Sequence, residues 1–131
     1  MPVNHLPLIL ASQSLRRREL LSAAGWLFNI QVADIDETQQ PNEPALEYVR
    51  RMASEKAQAV AARQTQPVVV VAADTIVADG AMILGKPANL AEAEATLRQL
   101  RGRNHWVHTA VAVCQVGQAK LLIDVCSTEV Q

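Results

Sequence analysis

Aromatic residues are scarce in this chain: two Trp, one Tyr and one Phe among 131 residues, 3% in all. Basic excess is missing too, since 12 Lys and Arg face 13 Asp and Glu for a net charge of -1. A general nucleic-acid binder is usually basic overall, and single-strand binders stack bases on clustered aromatic rings. Both absences argue against that class. No long hydrophobic run is present. The longest, Pro67 to Ala73, is far too short to cross a bilayer. The opening MPVNHLPLILAS has no basic segment ahead of its apolar stretch, so it does not read as a secretory signal. Cysteine is limited to Cys114 and Cys126, both in apolar, strand-like surroundings without metal spacing. They predict reduced core residues of a cytoplasmic protein rather than a disulfide. No internal repeat or low-complexity linker interrupts the chain.

What is present is apolar material, 50% of the chain, with 19% charged residues. That is enough for one domain, residues 1–131, with its own core. The pattern predicts a strand near Leu8–Ala11, a helix near Ser14–Ala24 and a strand near Phe28–Val32. A polar loop, ADIDETQQPNEP, leads into a long helix from about Ala45 to Arg63. PVVVVAADTIVA reads as a strand buried on both faces. A turn at ADGAM and the segment MILGKP close a small hairpin. NLAEAEATLRQLRG predicts a helix capped by Asn89 and ended by Gly102, with Leu90, Ala93, Leu97 and Leu100 on one face. Strands near Trp106–Val116 and Lys120–Val130 follow, joined at Gly117-Gln118. Strands alternating with helices and a late hairpin imply an α/β fold with a mixed sheet.

Several side chains stand out against this frame. Arg16, Arg17 and Arg18 occupy the start of the first helix, the end whose dipole repels cations. Arg17 shares a face with Leu20, Leu21 and Ala24; Arg16 lies at the edge of that face, and Arg18 points to solvent. A phosphate would satisfy these arginines and the free backbone N–H groups, with Ser12 and Ser14 as further donors. A surface cluster paired with Glu19 and other acids is the plainer alternative. The Asp34-Ile35-Asp36-Glu37 loop follows a strand, and grouped carboxylates of that kind hold Mg²⁺. Lys56 falls inside the apolar stripe of Val49, Met52, Ala53 and Val60. It either snorkels to water, the default, or meets an acid. Asp74 ends VVVVAAD, where α/β folds bind ligands; partial burial would raise its pKa and suit it to general-base work, and a turn or capping role is the alternative. Lys86 sits in Gly85-Lys86-Pro87, which is not a P-loop. His5, His105 and His108 lack metal spacing and read as structural.

ASxSxRRxELL, the acidic DE, SEKA, ADTIV and LGKP occur in this order. Together they resemble the Maf family of nucleoside triphosphate pyrophosphatases, from about Leu8 onward. The resemblance implies a mixed, curved sheet with flanking helices around a nucleotide cleft. It also implies a hydrolase that splits a nucleoside triphosphate into the monophosphate and pyrophosphate with a divalent cation, Mg²⁺ or Mn²⁺. Carried over by motif, Ser12, Arg16, Arg17, Lys56 and Lys86 would bind the substrate, Glu37 would bind the metal, and Asp74 would activate water. Thr75 and Arg16 match positions linked to base selectivity, and RR with ADT resembles the branch cleaving dTTP and UTP. Leu15 stands where the family usually has proline. The family's C-terminal part has no counterpart here, so the alternative is a non-catalytic nucleotide-binding or dimerising remnant. The reduced cysteines, even charge balance and short apolar runs predict a cytoplasmic protein with no nucleic-acid or membrane partner, and the resemblance adds a nucleotide substrate. An uncovered last strand near Leu121–Val130 predicts a homodimer.

Overall fold

The computed structural model describes residues 6–80, 82–84, 89–102 and 104–131. Along the chain run β1 (Leu8–Leu10), α1 (Leu15–Ala23), β2 (Asn29–Ile30), α2 (Ala45–Ala61), β3 (Val69–Asp79), β4 (Met82–Leu84), α3 (Leu90–Leu100), β5 (His105–Gln115) and β6 (Leu121–Val130). The sheet is mixed, as expected. Its order is β2-β1-β3-β5-β6, with β4 also on β3. β1 pairs in parallel with β2 and β3, whereas β4, β5 and β6 join antiparallel.

Helix α2 organises the core. Val49, Met52, Ala53, Ala57 and Val60 recur at helical spacing and are fully buried. Val49, Ala53, Ala57 and Val60 pack on Val70, Ala72, Ile76, Ala110 and Ala112 of β3 and β5. Alanines on both sides of the contact let helix and sheet approach closely. Burying each valine side chain contributes roughly 1.5–3 kcal/mol. The turn between β5 and β6 needs Gly117, whose φ is +91°, a value that strains residues with a Cβ.

β3 departs from the expected strand buried on both faces. Its burial alternates, with Val70, Ala72, Ile76 and Ala78 against the core and Val69, Val71 and Val77 half-buried. One face rests on α2; the other is partly open. Cys126 lies on that open side, because it pairs with Thr109, which in turn pairs with Thr75. It is therefore exposed, not a core residue as expected; Cys114 is buried and both thiols are free.

The two shorter helices also differ from expectation. Asn89 caps α3 as predicted, accepting from the Glu92 N–H at 2.9 Å. Its apolar face is not covered, however: Leu90 is 76% and Leu97 69% exposed. An amphipathic pattern states what a helix can bury, not that a partner lies opposite. Helix α1 likewise buries no residue, so the shared face of Arg17, Leu20 and Leu21 is not a core face. Among the described residues no helix is long and apolar enough to cross a membrane.

Candidate active site

The site arises where the sheet edge parts. β1 pairs with Val69–Val71 of β3, and β4 pairs with Val77–Asp79. β5 takes the opposite edge along nearly the whole strand. The stretch between the two short partners, with Asp74 and Thr75, opens into a cavity of about 890 Å³. Successive strand residues face opposite sides of a sheet. At the parted edge both sides give onto the same space, so carboxylate and hydroxyl line one cavity.

Asp74 stands in the inward row between Ala72 and Ile76, on the side of α2. Lys56 stands in the buried stripe of α2. Its Nζ donates to Asp74 Oδ1 at 2.9 Å and lies 3.2 Å from Glu37 Oε1. The Lys56 and Asp74 side chains are only 19% and 14% exposed, against 59% for Glu37. Lys56 thus meets acids instead of snorkelling to water. Burial opposes its charge, but the hydrogen bond and charge of Asp74, reinforced by Glu37, outweigh this and raise its pKa above the ordinary value.

Arg17 enters from α1. Ser14 caps the helix by accepting from the Arg17 N–H at 3.3 Å. The guanidinium then reaches across: Nη2 donates to Thr75 Oγ1 at 2.9 Å and Nη1 to Ser12 Oγ at 3.3 Å. Two hydroxyls, not an apolar face, aim Arg17 into the cavity. Thr75 Oγ1 also bonds Thr109 Oγ1 at 2.9 Å, directly across the β3–β5 ladder.

Of the residues singled out in the sequence, Ser12, Ser14, Arg17, Glu37, Lys56, Asp74 and Thr75 line this cavity. Arg16 is exposed and is not among its walls. Arg18, expected in solvent, has a buried Nε with no hydrogen-bond partner among the described residues. Lys86 lies outside the described residues. His108 is buried and bonds Ser127 Oγ at 2.8 Å through Nδ1, in keeping with a structural role.

Tyr48 was not singled out, yet it lines the cavity and donates from its hydroxyl to the Glu37 carbonyl at 2.6 Å. Burial and the nearby charges of Asp74 and Glu37 raise its pKa, which keeps the phenol a donor. The signal was available: Tyr48, Met52, Lys56 and Val60 form one row at intervals of four along α2.

No group of three or more His, Cys, Asp or Glu able to hold a metal occurs among the described residues. Glu37 and Asp74 do supply hard oxygen donors on either side of Lys56. Mg²⁺ is commonly held by one or two carboxylates together with substrate phosphates. The donor set therefore fits a divalent ion whose coordination a bound phosphate completes.

A mixed sheet parted along one edge, with basic and acidic groups converging in the gap, defines an α/β protein with a cleft suited to a polyanion. The chain belongs to the family of Maf-like proteins, whose model matches residues 7–131. It is 44% identical over 124 residues to a nucleoside triphosphate pyrophosphatase of Synechococcus sp. (strain JA-3-3Ab), covering 95% of this chain and 63% of that protein. It is 50% identical over 108 residues to a dTTP/UTP pyrophosphatase of Hahella chejuensis, covering 81% of this chain and 54% of the relative. The chain thus spans roughly three-fifths of the length of the curated relatives it matches. Among solved structures, the Staphylococcus aureus Ham1 protein shares the fold, with a TM-score of 0.63 at 14% identity over 94% of this chain and 70% of that one.

Proposed function

We propose that this chain acts as a nucleoside triphosphate pyrophosphatase, cleaving dTTP and UTP to the monophosphate and pyrophosphate. The observation that carries this reading is the convergence of Arg17, Lys56 and Asp74 on one cavity. The names of the relatives support the substrate class.

In this reading water attacks the α-phosphorus and the bond to the β-phosphate oxygen breaks. Lys56 engages Asp74 Oδ1, and the carboxylate's second oxygen takes the proton of the attacking water. Negative charge builds on the phosphoryl oxygens and on the leaving pyrophosphate. Arg17 and Lys56 neutralise it from opposite walls, already oriented by Ser12, Thr75 and Asp74. Ser12 contributes a hydroxyl, and Arg16 and Lys86, carried over by motif, add positive charge toward the phosphates. A divalent ion, Mg²⁺ or Mn²⁺, held by Glu37 together with the phosphates, would supply further charge neutralisation. Thr75, bonded to Arg17, contributes to base selectivity.

The test is pyrophosphate release from dTTP and UTP with Mg²⁺ or Mn²⁺, with Asp74→Asn as control. Metal-dependent release that falls about 10²–10⁴-fold in the variant supports the reading. Nucleotide binding without release supports the non-catalytic alternative.

The same reading includes a homodimer through β6, where Leu122 and Ile123 are 54% and 43% exposed. An edge strand of this kind pairs readily with a second copy. Light scattering at working concentration tests this, and a stable monomer rejects it. A cytoplasmic location, with no nucleic-acid or membrane partner, completes the proposal.

A further inference from the structure

Glu37 belongs to a segment, residues 31–44, that forms neither helix nor strand. Fixing such a segment costs roughly 1–2 kcal/mol of backbone entropy per residue. Something must offset that cost for Glu37 to stay beside Lys56. The structure shows what does so, and it lies on α2.

Arg51 sits one turn before Glu55 and faces the acidic loop. Its Nε donates to Glu43 Oε2 at 2.7 Å, and Nη2 donates to Glu43 Oε1 at 2.8 Å. This is the two-pronged geometry a guanidinium forms with a carboxylate. Nη2 also donates to the Thr38 carbonyl at 2.9 Å, and Nη1 to Glu55 Oε2 at 2.9 Å. Glu43, only 8% exposed in its side chain, passes the contact onward by accepting from the Gln40 N–H at 3.1 Å. Asp36 Oδ1 accepts from the Thr38 N–H at 2.9 Å. The guanidinium also lies 5.6 Å from the centre of the Tyr48 ring, whose hydroxyl holds the Glu37 carbonyl.

We propose that Arg51, working with Tyr48, is a positioning residue: it clamps residues 36–43 onto α2 so that the Glu37 carboxylate faces Asp74 across Lys56. Its functional half rests on the reading of Glu37 as a metal-binding residue. Arg51 is not among the residues that line the cavity. It acts through the backbone that follows Glu37, at Thr38 directly and at Gln40 through Glu43. Lysine cannot replace it, because one ammonium cannot grip Glu43 at two oxygens while bonding the Thr38 carbonyl and lying against Tyr48.

Hydrogen–deuterium exchange of the full chain without nucleotide tests the clamp, using Arg51→Gln, Arg51→Lys and Tyr48→Phe. The expected result is at least about tenfold faster exchange in residues 36–43 for both Arg51 variants, with residues 52–60 of α2 unchanged. Tyr48→Phe should speed exchange only around Glu37. Mn²⁺ titration followed by electron paramagnetic resonance should show affinity lowered about tenfold or more in both Arg51 variants. Wild-type protection of residues 36–43 in Arg51→Gln overturns the proposal. So does faster exchange spread equally over α2, which would make Arg51 a helix stabiliser, or full rescue by lysine. If wild type binds neither Mn²⁺ nor dTTP, the pyrophosphatase reading fails, while the exchange result still decides whether the clamp exists.

Discussion

Lys56 Nζ lies 2.9 Å from Asp74 Oδ1, although each residue occupies a row that otherwise buries apolar side chains. Each charge makes the other tolerable in that position. Removing one partner leaves a poorly hydrated ion behind. Lys56→Met is therefore expected to destabilise the fold by about 1–3 kcal/mol, despite adding an apolar side chain to the stripe. Urea denaturation measures this. The double variant Lys56→Met/Asp74→Leu should recover most of the loss.

Thr75 connects Arg17 to the β3–β5 ladder. Thr75→Val keeps the shape and removes the hydroxyl, freeing Nη2 of Arg17. A hydrogen bond to a charged group contributes about 1.5–3 kcal/mol. The expected outcome is a rise of about tenfold or more in the KM for dTTP, the proposed substrate, together with a lowered folding midpoint, and Thr75→Ser should restore both. Steady-state kinetics with a thermal scan would check both.

Stability should fall at both ends of the pH range, for different reasons. Lys56 has a pKa raised in the fold by Asp74 and Glu37 against the opposing effect of burial. Its contribution is fully present below its ordinary value of 10.5 and is lost as pH rises through the folded value. Glu43 is the mirror case, its pKa held down by the hydrogen bonds of Arg51. Its contribution is present above 4.5 and fades as pH falls through the lowered value. The acid loss should begin in the loop: amide signals of residues 36–43 move first in an NMR titration, before the core amides.

Met52 is fully buried at the centre of the α2 stripe. Met52→Ala is expected to cost about 2–5 kcal/mol through lost burial and the space left behind. Chemical denaturation reads this directly. The slope of the transition should stay near wild type, because the surface exposed on unfolding is nearly unchanged.

The parts legible in the sequence were those set by short-range repetition. The stripe of Val49, Met52, Ala53 and Val60 follows from the helical period, and the structure buries all four. Lys56 within it stood out as a charge in the wrong company; Asp74 read as the acid at a strand end, whereas β3 runs on through it to Asp79. Their mutual contact depends on how α2 crosses β3, which no local pattern encodes. Arg51 escaped notice for a similar reason: its partners lie on a loop that folds back, and long-range closure leaves no periodic trace. Tyr48 did stand in the row of Met52, Lys56 and Val60, but that row could not show the loop carbonyl its hydroxyl reaches. The reverse error occurred at α3, where Leu90 and Leu97 have the spacing of a core face but lie open. Cys126 was misplaced because an apolar strand does not declare which of its faces is covered.

Both jaws of the cleft are hinged on one rail. β1, which leads into α1 and Arg17, is bonded to the first residues of β3, and β4 is bonded to its last. The gap between them is spanned by β3's own backbone, with its inherent right-handed twist. The size of molecule admitted is therefore governed by the pitch of a single strand. An apolar substitution on that strand, touching no charge or hydroxyl of the site, would retune which molecules fit.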